Sequence, residues 1–179
     1  MNIFEIIPVL FGIISVYFSI KQNLLTWVFG IISSSLLLYY FININFYGQV
    51  ILQLVSVIQC AAGIIRWNKI NNKEVKSFGF DKTISFLFLF IVFGLIFAQF
   101  TQKQLNIMLY MDGVSGFIAL FATYLLIIKR IEAWWIFMIS NIMVFILCVH
   151  QGSYFIGGYN LLLFIMSIKG YKEWKKELV

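Results

Sequence analysis

The sequence is a succession of long apolar segments separated by short polar breaks. Each segment is close in length to the ~20 mostly apolar residues that an α-helix needs to cross the hydrocarbon core of a bilayer. The segments lie at Ile3–Ile20, Leu24–Ile42, Phe46–Arg66, Thr83–Phe100, Leu105–Ile128, Ile131–Val149 and Ser153–Gly170. The break around Asn43 and Asn45 is the softest, but the apolar stretch across it is too long for one span. The pattern predicts an all-α, polytopic membrane protein with seven transmembrane helices.

The composition supports this prediction and excludes several classes of protein. The chain is 62% hydrophobic and only 11% charged, whereas a soluble domain is about half apolar and a quarter charged. This excludes a soluble domain, a secreted disulfide-built domain and a nucleic-acid-binding module. Cys60 and Cys148 lie within apolar segments, so we interpret them as buried hydrophobic side chains and not as a disulfide or metal pair. The amino terminus has no basic region and no cleavage site of small residues, so we predict no signal peptide.

The distribution of basic residues predicts the orientation of the chain. With seven spans, alternate connections face alternate sides of the membrane, and Lys and Arg accumulate on the cytoplasmic side. One side carries all but one of the 13 basic residues, and the other side carries only Lys103. The residues of the basic side are Lys21, Arg66, Lys69, Lys73, Lys76, Lys82, Lys129, Arg130, Lys169, Lys172, Lys175 and Lys176. We therefore predict a multi-pass protein of the cell (inner) membrane with its amino terminus outside and its carboxyl terminus in the cytoplasm.

The chain matches itself without a gap when it is shifted by 107 positions. The matched pairs are Tyr17 with Tyr124, Trp27 with Trp134, Ser33 with Ser140, Tyr47 with Tyr154, Gly63 with Gly170 and Trp67 with Trp174. Gln53 also falls on Asn160, an amide on an amide. Because a single connecting span lets two copies of three spans point the same way, we predict a parallel 3+1+3 repeat. The predicted parts are a first repeat at 1–67, a cytoplasmic loop and connector helix at 68–104, and a second repeat with a cytoplasmic tail at 105–179.

A shared pattern of interfacial aromatic residues is the alternative to common ancestry. It accounts for Tyr47, Tyr154, Trp67 and Trp174, which lie near the ends of spans, where Tyr and Trp gather in any membrane protein. It does not account for the amide pair, which lies well inside the third and seventh spans. The repeat is therefore the better interpretation, and repeats of this kind are a recurring transporter architecture with substrate bound near the midplane.

Polar and aromatic residues inside the spans form the candidate site. Polar groups within a span are costly and usually have a function, although the small residues are better explained as helix–helix contacts. On the sixth span, Trp134, Phe137 and Asn141 recur at helical spacing. The candidate substrate-binding residues are Trp134, Asn141, Gln53, Asn160, Trp27, Ser34, Phe137 and Tyr159. Amides and large aromatic rings suit an aromatic or cationic solute that can stack and form hydrogen bonds.

Acidic residues are scarce in and beside the spans. Glu5 and Asp112 lie near outer ends, and Glu132 lies at an inner end. We interpret all three as solvated or interfacial anchors, so the sequence gives little support for coupling to a proton or sodium ion. With one His and no carboxylate cluster, we predict no metal and no cofactor.

An enzyme is the alternative from another class. The segment from Gly113 to Gly116 resembles the nucleophile segment of intramembrane rhomboid proteases, and the predicted topology brings Ser115 and the single histidine, His150, to the same side. The resemblance covers four residues, and the polar oxyanion residues typical of that family are missing. We therefore predict a protein that is not an enzyme and has no catalytic residues, and keep the serine protease as an alternative.

Over nearly its full length the chain resembles the PnuC family of vitamin-precursor transporters, the nicotinamide riboside permeases. The resemblance is carried by Glu5 before Gly12, by Tyr47 with Gln53, Gly63 and Trp67, by Asp112, by Glu132-Ala133-Trp134, and by Asn141, Gln151-Gly152, Tyr154 and Gly170 with Trp174. It implies a 3+1+3 bundle related in architecture to the SWEET sugar transporters and often assembled as a homotrimer. It also implies facilitated diffusion of nicotinamide riboside for NAD biosynthesis, made one-way by phosphorylation in the cytoplasm. Trp134, Asn141, Gln53 and Asn160 lie where that family lines its substrate cavity.

The chain departs from the family pattern close to the expected cavity. Ile64 stands where relatives often have a Trp, Phe137 replaces a frequent second Trp, and Ser33 or Ser34 stands where an Asn is common. Relatives in the family carry thiamine or riboflavin, and thiamine is also an aromatic cation. Thiamine and riboflavin therefore remain alternative ligands within the class.

Overall fold

The computed structural model describes residues 3–43, 47–69, 74–101 and 107–179. Within these ranges the chain forms seven α-helices. They are α1 (Ile3–Ile20), α2 (Leu25–Asn43), α3 (Tyr47–Lys69), α4 (Phe80–Thr101), α5 (Ile107–Ile127), α6 (Glu132–His150) and α7 (Tyr154–Lys175). The prediction of seven helices is confirmed. Of the polar breaks, Ile44, Asn45 and the connection that holds Lys103 lie outside the described residues, as does Lys73.

The predicted ends of three segments were wrong by several residues. Helix α7 continues past Gly170 to Lys175, α3 continues past Arg66 to Lys69, and α4 begins at Phe80. Hydropathy marks where the apolar part of a helix stops, whereas Lys and Glu are good helix formers that let the backbone continue into the polar region. The helices are therefore longer than their apolar segments.

Five of the helices are long and apolar enough to cross a bilayer. They are Leu25–Asn43, Tyr47–Lys69, Phe80–Thr101, Tyr110–Ile127 and Glu132–His150. Helix α1 has a shorter apolar stretch at Ile6–Ile20. Because a helix satisfies all of its backbone hydrogen bonds internally, it is the form in which such apolar segments can cross lipid. The chain is therefore a polytopic, all-helical membrane protein.

The chain divides into two compact units, Met1–Glu74 and Val75–Val179. In the first unit, α2 packs against both α1 and α3. The hydroxyl of Ser33 on α2 donates a hydrogen bond of 2.8 Å to the carbonyl oxygen of Pro8 on α1. Closer to the α1–α2 turn, Ser15 Oγ donates to Thr26 O (2.8 Å) and Thr26 Oγ1 donates to Ser15 O (2.9 Å). Hydroxyl groups thus join the two helices along their length.

In the second unit, α5 packs against α4 and α6, and α6 also packs against α7. Helices α4 and α5 approach closely at Gly94, where an added Cβ atom would lie 2.7 Å from Val114 Cα. The rings of Phe90 and Phe121 stack in the same interface with centroids 4.8 Å apart. The connector helix α4 therefore belongs to the same compact unit as the second predicted repeat.

The two predicted repeats, α1–α3 and α5–α7, make the same turn after their first helix. Gln22 and Lys129, which are 107 positions apart, both adopt the left-handed conformation, with φ of 52° and 53°. Each turn has the paired hydrogen bonds of a Schellman motif. The bonds are Gln22 N–H to Ser19 O and Asn23 N–H to Phe18 O in the first repeat, and Lys129 N–H to Leu126 O and Arg130 N–H to Leu125 O in the second.

The contact between the first two helices of each repeat is also matched. Ser140 Oγ on α6 donates to the carbonyl oxygen of Ser115 on α5 at 2.9 Å. Shifted back by 107 positions, this is the bond from Ser33 to Pro8. The self-match in the sequence therefore corresponds to matched contacts inside each unit. The parallel 3+1+3 arrangement, which concerns the placement of one repeat relative to the other, stays a prediction, as does the division at 67 and 104.

Candidate functional site

In the first unit, Trp27, Gly63 and Trp67 form a tightly packed cluster between α2 and α3. The indole of Trp27 is 2% exposed and lies flat against the backbone of α3, so that a Cβ atom at Gly63 would overlap its six-membered ring. Trp67, one turn further along α3, meets Trp27 edge to face with centroids 5.1 Å apart and planes at 84°. Only glycine at position 63 allows this approach.

The second unit contains the same cluster, formed by Trp134, Gly170 and Trp174. Trp134 is 1% exposed, and a Cβ atom at Gly170 would overlap its ring. Trp174 meets Trp134 edge to face at 5.4 Å and 83°. The six residues that matched in sequence are therefore two copies of one packing arrangement.

The interfacial interpretation of Trp67 and Trp174 was wrong. Their side chains are 5% and 0% exposed, so both lie inside their own unit and not at its surface. Tyr47 and Tyr154, the other residues assigned to interfacial anchoring, are exposed. An aromatic residue near the end of a span anchors at the interface only if it lies on the side of the helix that faces lipid. Trp67 and Trp174 lie on the side that faces the neighbouring helix.

The indole N–H groups of Trp27 and Trp134 are buried and have no hydrogen-bond acceptor among the described residues. Buried donors are nearly always satisfied, and leaving one unpaired costs about 1–3 kcal/mol. The same unsatisfied donor recurs at equivalent positions of the two repeats. Among the described residues, the two repeats thus share a buried indole N–H without an acceptor at equivalent positions.

The polar residues of α2 and α6 have two different environments. Ser33 and Ser140 are buried and bond to the neighbouring helix. The next residues in the chain, Ser34 and Asn141, are half-buried and form no hydrogen bond with any described residue. Asn141 lies one turn beyond Phe137, a half-buried ring tilted against Trp134 with centroids 6.4 Å apart. Along this face of α6, a buried indole, a half-buried ring and a half-buried amide without a hydrogen bond follow one another.

The amide pair of α3 and α7 is matched in position but not in environment. Gln53 is half-buried and has no hydrogen-bond partner among the residues described. Asn160 is buried, and its Nδ2 donates to Ile156 O of its own helix at 2.8 Å, which leaves the side-chain oxygen to accept. Tyr159, beside it in the chain, is half-buried. Of the eight candidate residues, Trp134 and Phe137 are the two whose rings are in contact with each other in the described structure.

Glu132 is not the solvated anchor that the sequence indicated. It is only 6% exposed, and its Oε1 accepts hydrogen bonds from Ser77 Oγ, from Phe78 N–H (2.8 Å) and from Gly79 N–H (3.3 Å). Its donors lie more than fifty residues away in the chain. The polar residues that precede α4 were the sequence feature that could have indicated a hydrogen-bond partner for Glu132. The side chain of Glu5 lies outside the described part of the structure.

Ser115 has a structural role in α5. It is buried, its hydroxyl donates to Asp112 O of its own helix at 2.9 Å, and its carbonyl oxygen accepts the bond from Ser140. His150 is exposed at the end of α6, and no hydrogen bond joins it to Ser115 in the described residues. Cys60 and Cys148 are both free and buried, as predicted. Within the described ranges, no group of three potential ligands could hold a metal ion.

Comparison with known proteins identifies the class. The chain matches the family described as nicotinamide mononucleotide transporter over residues 2–176. The crystal structure of the vitamin B3 transporter PnuC is similar in fold, with a TM-score of 0.75 over 96% of this chain and 80% of that chain, at 22% sequence identity. No curated protein matches the chain.

Both matches are transporters, which confirms the prediction that the chain is a transport protein and not an enzyme. The low identity to the solved structure makes that likeness one of fold. The family match extends over almost every residue. The chain therefore belongs to the nicotinamide mononucleotide transporter family, the PnuC family that its sequence resembles.

Proposed function

We propose that this protein carries nicotinamide riboside into the cytoplasm by facilitated diffusion. Its family and the vitamin B3 transporter with a similar fold supply the ligand class. The observation that carries the proposal is the face of α6, where the buried indole of Trp134, the ring of Phe137 and the unpaired amide of Asn141 follow at helical spacing.

The chemistry of this face suits a nicotinamide ring. In the riboside the ring is aromatic and cationic, and aromatic side chains attract both flat rings and cations. An Asn amide both donates and accepts, so it can pair with a carboxamide or a ribose hydroxyl. On the same face, the buried indole N–H of Trp134 has no acceptor among the described residues, so a ligand oxygen that reached it would satisfy it.

The absence of charge among the candidates favours the riboside over the mononucleotide. None of the eight candidate residues is basic, and phosphate groups are bound through Arg, Lys or several N–H donors. A phosphate held among neutral side chains would keep much of its desolvation penalty. Phosphorylation in the cytoplasm would therefore convert the ligand to a form that the site does not bind and so does not carry back out. This accounts for one-way uptake without ion coupling.

Thiamine and riboflavin are the alternatives within the class. Thiamine is an aromatic cation like nicotinamide riboside, whereas riboflavin is a larger neutral ring system. A side-by-side titration of the purified protein with all three and with nicotinamide mononucleotide, followed by tryptophan fluorescence, separates them. We expect saturable binding of nicotinamide riboside at the lowest concentration. Tighter binding of thiamine, riboflavin or the mononucleotide would overturn the assignment.

We also propose the parallel 3+1+3 arrangement in the cell (inner) membrane, with the amino terminus outside and the carboxyl terminus in the cytoplasm. By the family resemblance, we propose that the protein assembles as a homotrimer in the lipid bilayer. The matched turns and clusters of α1–α3 and α5–α7 support the repeat. The hydrogen bonds of Lys76 with Lys129 and Ile131 support placing two basic connections on one side.

Labelling of a single cysteine tests the orientation. Lys172 is exposed near the end of α7. In Lys172→Cys, with Cys60 and Cys148 replaced by Ala, we expect a membrane-impermeant thiol reagent to react only after the cells are permeabilised. Reaction in intact cells would reverse the topology.

A further inference from the structure

Three chain segments meet at the end of the second unit where α4 and α6 begin and α7 ends. They are residues 75–79 before α4, residues 129–132 in the α5–α6 turn, and residues 177–179 after α7. We call these three segments the clasp. Two isolated parallel β-bridges, between Val75 and Leu178 and between Lys76 and Arg130, hold them together.

Four main-chain hydrogen bonds form the clasp. They run from Val75 N–H to Glu177 O (3.2 Å), from Val179 N–H to Val75 O (3.0 Å), from Lys76 N–H to Lys129 O (3.1 Å) and from Ile131 N–H to Lys76 O (3.1 Å). Val75, at the centre, is completely buried. The segment before α4 therefore pairs on one side with the residues that follow α7 and on the other side with the turn that leads into α6.

The carboxylate of Glu132 closes the clasp. It receives the Ser77 hydroxyl and the Phe78 and Gly79 N–H groups on one oxygen, while Arg130 Nη1 donates to Ser77 O at 2.9 Å. Hydrogen bonds to an ionised acceptor are stronger than neutral ones. Glu132 is buried, and its other oxygen, Oε2, has no hydrogen-bond partner among the described residues. The three donors on Oε1 therefore supply the hydrogen bonds of this carboxyl group, and opening the clasp would remove them.

The first repeat has no equivalent carboxylate. Leu25, an exposed residue, stands 107 positions before Glu132. The turns that precede these two positions are otherwise the same, with Gln22 and Lys129 in the left-handed conformation. The carboxylate that closes the clasp is therefore specific to the second repeat.

We propose that the clasp stays closed during transport, and that Glu132 is a positioning residue that fixes the start of α6. Trp134 lies two residues beyond Glu132 in the first turn of α6, so the clasp determines where this indole is held. The starts of α4 and α6 and the end of α7 then move as one body. The uptake experiments and the comparison with added ligand rest on the proposed transport of nicotinamide riboside, whereas hydrogen exchange without ligand does not.

Covalent closure tests whether the clasp must open. Val75 and Leu178 are the partners of a β-bridge. Paired backbones of this kind lie ~4.7–4.9 Å apart, within the ~4.4–6.8 Å between Cα atoms that a disulfide spans. In Val75→Cys/Leu178→Cys, with Cys60 and Cys148 replaced by Ala, uptake of nicotinamide riboside is measured in the same vesicles before and after reduction. We expect equal uptake in both states. A disulfide that abolishes uptake, with recovery on reduction, would overturn the proposal.

Hydrogen exchange on the unmodified protein gives an independent measurement. We expect the amides of Val75, Lys76 and Ile131 to exchange slowly and at the same rate with and without nicotinamide riboside. Faster exchange on addition of ligand would show that the clasp opens. If the protein takes up no nicotinamide riboside, the proposed function fails, while exchange without ligand still reports whether the three segments open together.

Substitution of Glu132 tests the positioning role. We expect Glu132→Ala to raise KM for uptake by about tenfold. Displacing the start of α6 should lower the affinity for the ligand more than it lowers the maximal rate of uptake. Glu132→Gln, which keeps an acceptor, should recover most of that loss. Glu173→Gln, an exposed Glu paired with Lys176 on α7, is the control and should behave as the unmodified protein. A lower maximal rate at unchanged KM for Glu132→Ala would contradict the positioning role.

Discussion

The two repeats share a packing arrangement and differ in the side chains at three matched positions of α2 and α6. Each contains a tryptophan held against a glycine of the next helix, a second tryptophan at its edge, and a serine that joins its first two helices. These shared residues are buried. Because both repeats need the glycines, the edge tryptophans and the serines in the same geometry, these residues specify the fold of three helices.

The differences lie at three matched positions of α2 and α6. Ser34 of the first repeat corresponds to Asn141 of the second, Gly30 to Phe137, and Leu25 to Glu132. A nucleoside has a ring at one end and a sugar at the other, so a face that carries both an aromatic ring and an amide suits it. The second repeat carries the larger ring and the amide, and we infer that it makes the main contacts with the ligand.

Removing the edge tryptophans should give the largest effect on stability, and an equal one in both repeats. Replacing a fully buried large aromatic side chain by Ala costs about 3–5 kcal/mol. We expect Trp67→Ala and Trp174→Ala to lower the thermal stability of the purified protein strongly. Tyr154→Ala, at an exposed position, is the control and should change it little. A loss in one repeat alone would break the comparison.

The glycines should follow with a smaller but still large effect. Gly63→Ala and Gly170→Ala place a methyl group within a tryptophan ring, and overpacking of this kind costs about 1–3 kcal/mol. Gly158→Ala is the matched control on α7, because an added Cβ atom there meets nothing within 4 Å. We expect thermal unfolding to be lowered by the first two and unchanged or raised by the third. Equal midpoints for the Gly170 and Gly158 variants would contradict the packing described here.

The site residues should separate the repeats. An unpaired polar group of the ligand costs about 1–3 kcal/mol, so Asn141→Leu should weaken binding of nicotinamide riboside by roughly ten- to a hundredfold. We expect a similar loss for Gln53→Leu. Ser34→Ala should have a smaller effect than Asn141→Leu, since it removes only one hydroxyl. Equal losses at positions 34 and 141, measured by fluorescence titration, would mean that both repeats bind the ligand alike.

The paired serines should give the smallest effect. Ser33→Ala and Ser140→Ala each remove one hydrogen bond between helices, which contributes about 0.5–1.5 kcal/mol. We expect a slightly lower unfolding midpoint in both variants and unchanged affinity for the ligand. A marked loss of affinity in Ser140→Ala would show that this serine, next to Asn141, contacts the ligand.

The fold was largely predictable from the sequence, and the contacts were less so. Hydropathy located the seven helices because apolar length determines a span, and the shift of 107 located the matched clusters. The burial of Trp67 and Trp174 was missed because it depends on which side of a helix meets its neighbour. Glu132 was missed because its donors at Ser77, Phe78 and Gly79 are brought to it only by the folded chain.

Flux into sealed proteoliposomes tests the central claim most directly. Purified protein is reconstituted without other components, and labelled nicotinamide riboside is supplied outside with no ion gradient. We predict saturable entry that stops when the inner and outer concentrations are equal, with Asn141→Leu requiring a higher concentration for half-maximal entry. No entry above that of protein-free vesicles, or accumulation beyond the outer concentration, would contradict facilitated diffusion of this ligand.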